Sequence, residues 1–341
     1  MRPALPRLTR RAWVGGAGSL ALAGAPSRIQ ARPSLDAVLD LALSQASTGV
    51  VVSQGGRVLA ERYAAGWGPD RPREVASAAK SLVAVLIAMA VEDGALAGFD
   101  QPAADFIPAW RTDGRAAITL WTLMSMTSGL DDTGLALRGV AGDQFAINAA
   151  APLRDAPGTR WAYNTAAYHL LFHILVAATG RPLDDYARAR LLTPLGMGET
   201  QWVTSSGRGA HGPVTNYYSA AASARDLARF GDWIAAGGDP PVRLRPDLLR
   251  TLLEPSQALN PSYGLLWWTN ARPGFDALGR GPALRFPSAP RDAVAALGAG
   301  GQMILVVPSR RLVVVRQGDP PPSPALADNL LALSLAALDG A

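Results

Sequence analysis

Two β hairpins, one near each end of the chain, constrain the fold more than any other feature of this sequence. Residues 48–52 and 57–63 are β-rich runs joined by a turn that contains Gly-Gly, and residues 302–307 and 312–317 are strand patterns around a Pro-Ser turn. Between them lie mostly helical patterns broken by Pro and Gly. The sequence therefore predicts one antiparallel sheet built from both ends, covered by terminal helices, with a helical region inserted.

Helical patterns account for much of the remaining chain. The predicted helices cover residues 35–46, 80–91, 119–126, 165–179, 182–192, 223–236, 246–253 and 326–338. The expected fold class is α/β, of the α+β type, with a mainly antiparallel sheet flanked by helices. We expect a single domain over residues 32–341, with a sheet region of about 45–95 plus 290–341 and a helical region of about 96–289.

The excess positive charge of the chain belongs to its first 31 residues. The formal net charge is +5, and residues 1–31 contain five Arg and no acidic residue, which equals that excess. The pair Arg10-Arg11, followed by a weakly apolar segment rich in Gly and Ala, resembles a twin-arginine export signal. A Sec signal or a basic tail are the alternatives. We expect residues 1–31 to be an export signal and the protein to be periplasmic or secreted.

Composition limits the classes of partner and the kinds of chemical site that this chain can have. Residues 32–341 carry equal numbers of basic and acidic side chains, so charge does not point to nucleic acid. The chain has no Cys, which excludes disulfides, thiolate metal sites and a cysteine nucleophile. No apolar run of membrane length follows residue 31, so no membrane anchor is expected after signal cleavage. We expect a small-molecule or short peptide-like substrate, and the oligomeric state stays open.

One lysine stands alone among 32 basic residues, because all the others are Arg. Lys80 begins the most apolar predicted helix and follows Ser77 by three residues, so the two side chains share one helix face. A buried Lys can lose its proton, whereas Arg cannot. Lys80 could then accept the hydroxyl proton of Ser77, and free N–H groups at the helix start could bind an oxyanion. The alternative is a chance motif in which Ser77 only caps the helix.

Two further segments could complete such a site. Tyr163 lies where a Pro-Gly turn runs into an aromatic patch and then a helix, and a phenol near an ammonium can act as a general acid or base. Gly298 and Gly300 belong to a Gly-rich segment before the strand at 302–307, where the backbone can approach a substrate closely. The alternatives are an interior aromatic residue and a flexible lead into a strand.

Taken together, these segments resemble the serine β-lactamase-like hydrolases, which include penicillin-binding DD-peptidases, class C β-lactamases, esterases of that fold and 6-aminohexanoate-oligomer hydrolases. The matching segments are residues 77–80, 119–130, 157–168, 194–197, 223–230 and the Gly-rich stretch before 302–307. The resemblance implies Ser77 as an acylated nucleophile, Lys80 as its proton acceptor and Tyr163 as general acid/base. It also implies an oxyanion hole from the backbone N–H groups of Ser77 and Ala299, and no metal or organic cofactor.

The chain departs from the motifs of that family at two positions. Thr165 stands where the usual Y-x-N motif has its Asn, and Ala296 stands where the usual K-T-G or H-x-G motif has its cationic or imidazole group. The second departure implies ester or amide hydrolysis on a substrate without a demanding carboxylate. The alternatives are a weak β-lactamase or DD-peptidase, or a non-catalytic penicillin-recognising or peptidoglycan-binding module.

Several other residues are candidates for the wall of the site. The candidate substrate-binding residues are Asn164, Trp267, Trp268, Gly298 and Gly300. For the two Trp residues, core packing is at least as strong an interpretation. His169 and His173 share a helix face, but no Glu lies between them and no third ligand is evident, so structural helix residues are favoured over a zinc site.

Overall fold

The two ends of the chain meet in one six-stranded antiparallel sheet. This is a computed structural model, and it describes residues 34–135, 137–319 and 322–339. The strands are β1 Ser47–Gln54, β2 Arg57–Tyr63, β3 Arg73–Glu74, β4 Gln201–Gly209, β5 Gly212–Ala222, β6 Trp268–Thr269, β7 Val294–Gly298, β8 Gln302–Val307 and β9 Leu312–Gly318. The large sheet has the order β2-β1-β9-β8-β7-β6. The N-terminal hairpin therefore pairs with the C-terminal one through β1 and β9, as predicted.

Apart from a short helix at Gln144–Ala149, which was not predicted, the helices begin and end close to the predicted positions. They are α1 Leu35–Ser44, α2 Ala79–Glu92, α3 Leu120–Met124, α4 Gln144–Ala149, α5 Thr165–Thr179, α6 Leu183–Ala187, α7 Ala224–Ala235, α8 Pro246–Leu253 and α9 Leu326–Leu338. A five-residue π-helical segment, Arg188–Leu192, continues α6. No helix among the described residues combines the length and the apolar character needed to cross a membrane.

Helices cover both faces of the large sheet. Every residue of β8 and β9 is buried, and successive side chains of a strand point to opposite faces. Helix α1 packs against α9 and β1, whereas α7 packs against β1, β8 and β9. A Cβ added at Gly231 of α7 would lie 2.6 Å from a methyl carbon of Val313. Glycine thus lets this helix sit closely on the sheet.

A second, three-stranded sheet of order β3-β5-β4 takes β4 and β5 from the region predicted to be helical. Strand β4 is rich in Ser, Thr and Gly and carries few of the β-branched apolar residues that mark a strand. Its pairing with β5 along nearly its whole length makes it a strand despite that composition. This sheet matters for the site, because the Val75 N–H bonds the Ala220 carbonyl of β5 just before Ser77.

The predicted export signal, residues 1–31, lies outside the described residues.

Candidate active site

Ser77 lies in a short 3-10 turn, Ala76–Ala78, that leads directly into α2. Ala76 has a φ of 48°, in the left-handed region that non-Gly residues rarely adopt. The Ser219 hydroxyl donates to the Ala76 carbonyl at 3.2 Å and helps to hold this conformation. The side chain of Ser77 is half-buried rather than enclosed. A strained backbone thus presents an accessible hydroxyl at the start of a buried helix.

Lys80 faces Ser77 from the first turn of α2. Its Nζ donates to the Ser77 Oγ at 3.1 Å, and the residue is only 2% exposed. Nζ also lies 5.1 Å from the centre of the Tyr163 ring and 4.5 Å from that of Tyr168. Within the part of the chain that the structure describes, Lys80 has no ion-pair partner. A buried amine with a hydroxyl and two aromatic faces around it is well placed to exchange a proton with Ser77.

Two uncharged side chains, Tyr168 and His169, lie next to Lys80. Burial raises the pKa of Tyr168 well above its ordinary value, so its phenol stays protonated. Burial, together with the charge of Lys80, lowers the pKa of His169 to about 3, so its imidazole is neutral near pH 7. Neither Tyr168 nor His169 therefore offers a negative charge that would compete with Ser77 for the amine.

Tyr163 belongs to an aromatic wall that ends in an arginine. Its ring stacks on Trp268 with centroids 6.0 Å apart and an interplanar angle of 11°. The Arg285 guanidinium lies 4.1 Å from the centre of the Trp268 ring. Arg285 donates to the Phe275 carbonyl at 3.3 Å, and it forms no ion pair among the described residues. Burial lowers its pKa.

The end of β7 packs directly on the turn that carries Ser77. A Cβ added at Gly298 would lie 2.1 Å from the Val75 carbonyl oxygen and 3.1 Å from the Ala78 backbone nitrogen. Only glycine allows this approach. The next residue, Ala299, lines the same cavity as Ser77 and Lys80. The strand end and the nucleophile turn therefore meet backbone to backbone.

Two cavities share Ser77 in their linings. The Tyr163 cavity, of about 290 Å³, is lined by Ser77, Tyr163, Trp268, Arg285 and Gly298 among others. The Lys80 cavity, of about 180 Å³, is lined by Ser77, Lys80, His169, Ser219 and Ala299 among others. Ser77 is common to both, so a substrate carbonyl at its hydroxyl could extend one substituent into each cavity.

Three of the candidate substrate-binding residues line neither cavity. Asn164 is buried as the N-cap of α5, where its side chain accepts from the Ala167 N–H and donates to the Leu130 carbonyl. Trp267 is fully buried and stacks on Phe230. The Gly300 carbonyl accepts from Arg316. Trp268 and Gly298, by contrast, line the Tyr163 cavity.

Sequence reasoning did not single out Arg285, and it interpreted His169 only as a structural residue. Arg285 is one of many dispersed Arg residues, so its sequence context carries no signal.

His173 stacks on Phe145 with centroids 3.6 Å apart. Within the described residues, no group of three or more His, Asp or Glu side chains is arranged to hold a metal ion.

The antiparallel sheet, the helical region and the contact between Ser77 and Lys80 agree with the fold expected from the Ser-x-x-Lys motif and its neighbouring segments. The sequence model of the Beta-lactamase family matches residues 36–337, and the chain belongs to that family. It is 32% identical over 199 residues to a human beta-lactamase-like protein, and 30% identical over 203 residues to the esterase EstB of Burkholderia gladioli.

Each match covers 50% of this chain, and the chain spans only 36% and 51% of the lengths of these relatives. A penicillin-binding protein homologue from Caulobacter crescentus has the same fold, with a TM-score of 0.67 at 20% identity, over 89% of this chain and 97% of that one.

Proposed function

We propose that the protein hydrolyses an ester or amide through an acyl-enzyme on Ser77. The observation that carries the proposal is the 3.1 Å contact between the Ser77 Oγ and the Nζ of Lys80, a buried lysine that has no acidic partner among the described residues. Nucleophile and base within hydrogen-bond reach are the requirement for activating a serine hydroxyl. The esterase EstB among the relatives supports this reaction class.

The proposed reaction assigns each proton to a named group. The Ser77 Oγ attacks the carbonyl carbon while the amine of Lys80 takes the hydroxyl proton. The backbone N–H groups of Ser77 and Ala299 stabilise the oxyanion. Tyr163 relays the proton from Lys80 to the leaving alcohol or amine as its bond to the carbonyl carbon breaks. Water then attacks the acyl-enzyme along the reverse proton route, and the acid leaves with Ser77 restored.

The substrate class follows from the two cavities. Tyr163, the proposed acid for the leaving group, lines only one of them, so we place the leaving group there and the acyl group beside Lys80. Ala296 supplies no cation, and we favour esters over β-lactams. Arg285, from another part of the chain, nevertheless gives the Tyr163 cavity a positive charge. The nearby Asp276 does not pair with Arg285, because it is paired with Arg280. This charge favours, as a second candidate substrate, an ester whose leaving group carries a negatively charged carboxylate.

Replacement of Ser77 tests the mechanism directly. We expect Ser77→Ala to abolish release of nitrophenol from 4-nitrophenyl butyrate and to prevent the mass increase seen with a fluorophosphonate. The matched control is Ser81→Ala, one turn further along α2, whose hydroxyl bonds the Leu266 carbonyl and lines neither cavity. Turnover retained in Ser77→Ala refutes the mechanism. A stable penicillin adduct on Ser77 without ester turnover would instead favour a penicillin-recognising module.

Export is a separate proposal, supported by the Arg10-Arg11 pair in the N-terminal segment. We propose that this segment directs the protein out of the cytoplasm by the twin-arginine route. Arg10→Lys combined with Arg11→Lys keeps the charge but removes the recognised pair, so cell fractionation should find the variant in the cytoplasm. Unchanged export of the double Lys variant would point to a Sec signal.

A further inference from the structure

Arg316 of β9 is a fully buried arginine behind the site. It is 0% exposed, and no acidic side chain among the described residues pairs with it. Burial lowers its pKa to about 10, so it remains a cation near neutral pH. Replacing a buried charge by an apolar residue of similar size is often neutral or stabilising. Stability alone therefore gives no reason for an arginine at this position.

The hydrogen bonds of Arg316 connect the turn that follows β7 with the start of β1. Its Nη1 donates to the carbonyls of Gly300 at 2.7 Å and Gly301 at 2.9 Å. Its Nε and Nη2 donate to the Ser47 hydroxyl at 2.8 Å and the Gln45 carbonyl at 2.7 Å. The guanidinium thus ties the turn to the start of β1 and to Gln45 just before it.

This turn needs an external support because its own residues supply little stiffness. Gly300 and Gly301 have φ values of 75° and 77°, and glycine has many accessible backbone conformations. A Cβ added at Gly301 would lie 2.7 Å from the Arg316 Nη1, which shows how closely the guanidinium fits against it. Ala299 begins the same turn and lines the cavity with Ser77.

We infer that Arg316 is a positioning residue, which holds the Ala299–Gly301 turn so that the Ala299 N–H points at the oxyanion formed on Ser77. The inference rests on the proposed function, since an oxyanion forms only if Ser77 is acylated. The inference goes beyond the proposed function, because it assigns the accurate placement of the oxyanion hole to a guanidinium that does not line the cavity. An error of about 1 Å in such a group can lower the rate about 100-fold.

The test compares Arg316→Met and Arg316→Lys with Gln317→Met. Gln317 is the next residue on β9, is buried, and bonds the Ala222 carbonyl rather than the turn, so Gln317→Met also removes a buried polar group. Folding of each variant is checked by circular dichroism and thermal melting. We expect Arg316→Met to lower kcat for 4-nitrophenyl butyrate about 10- to 100-fold with KM within about threefold, and Arg316→Lys to recover part of that loss.

A boronic acid analogue of the tetrahedral intermediate gives a second measurement. Its affinity should fall in Arg316→Met by the same factor as kcat, because both depend on the oxyanion hole. Gln317→Met should keep the wild-type kcat and analogue affinity even if its melting temperature falls. Equal kcat per folded molecule in Arg316→Met and wild type overturns the inference, whereas a wild type without ester turnover overturns the proposed function. If Arg316→Met does not fold, an Arg316→Lys variant with wild-type kcat and analogue affinity also overturns the inference.

Discussion

The contact between the end of β7 and the nucleophile turn can be disrupted by a single methyl group. A Cβ at Gly298 would lie 2.1 Å from the Val75 carbonyl oxygen, whereas ordinary contacts begin at 3.4 Å. Gly298→Ala must therefore separate the strand end from the Ser77 turn by about 1 Å, since both partners are backbone. Gly298 has a φ of −129°, which alanine adopts readily, so the effect comes from the overlap and not from backbone conformation.

The expected result of Gly298→Ala is a large loss of rate with a moderate loss of stability. Overpacking of this kind costs about 1–3 kcal/mol, and a shift of about 1 Å in the catalytic geometry costs about 100-fold in rate. The assay is kcat/KM for 4-nitrophenyl butyrate together with a thermal melt.

The matched control for this prediction is Gly98→Ala, because a Cβ at Gly98 meets nothing within 4 Å. A folded Gly298→Ala protein with wild-type kcat/KM would refute the reasoning that Gly298 and Ala299 are held against Ser77.

Three other perturbations test different parts of the site. Lys80→Arg keeps the charge but cannot accept a proton, so ester turnover should fall about 10²- to 10⁴-fold; wild-type turnover would contradict the role of the amine. Arg285→Met should lower the preference for 3-carboxyphenyl butyrate over its methyl ester. The control Arg272→Met, at an exposed position outside both cavities, should leave this preference unchanged. An unaltered preference in Arg285→Met would rule out binding of the carboxylate by Arg285. The pKa of His169 is lowered to about 3, so the unfolded chain binds this proton near pH 6.5 and the folded chain does not. Stability from His169 is thus present above about pH 6.5 and is lost as pH falls toward 3, and His169→Phe should flatten the dependence of the melting temperature on pH; an identical pH profile would contradict this.

Local patterns were enough to place most of the helices and the hairpins at both ends of the chain. The predicted helices at 165–179, 246–253 and 326–338 match α5, α8 and α9 residue for residue. The hairpin of β4 and β5 was missed, because its strands are held by pairing with each other and lack a strong apolar alternation in sequence.

The pairing of Ser77 with Lys80 could be predicted from the sequence by itself, because a three-residue spacing at a helix start brings two side chains together regardless of the rest of the fold. The family followed from the same motif and its ordered neighbours. Tyr163 could be named from its segment, but its 5.1 Å distance from the amine depends on how α5 packs against α2.

Only the tertiary structure decided which of several equivalent residues face the site. Trp267 and Trp268 are adjacent, yet one packs in the core and the other forms the cavity wall, because neighbouring side chains of an extended segment point in opposite directions. Arg285 and Arg316 differ from the other arginines only in what surrounds them: an aromatic wall in one case and the carbonyls of a glycine turn in the other. Those surroundings come from segments far apart in the chain, and packing alone brings them together.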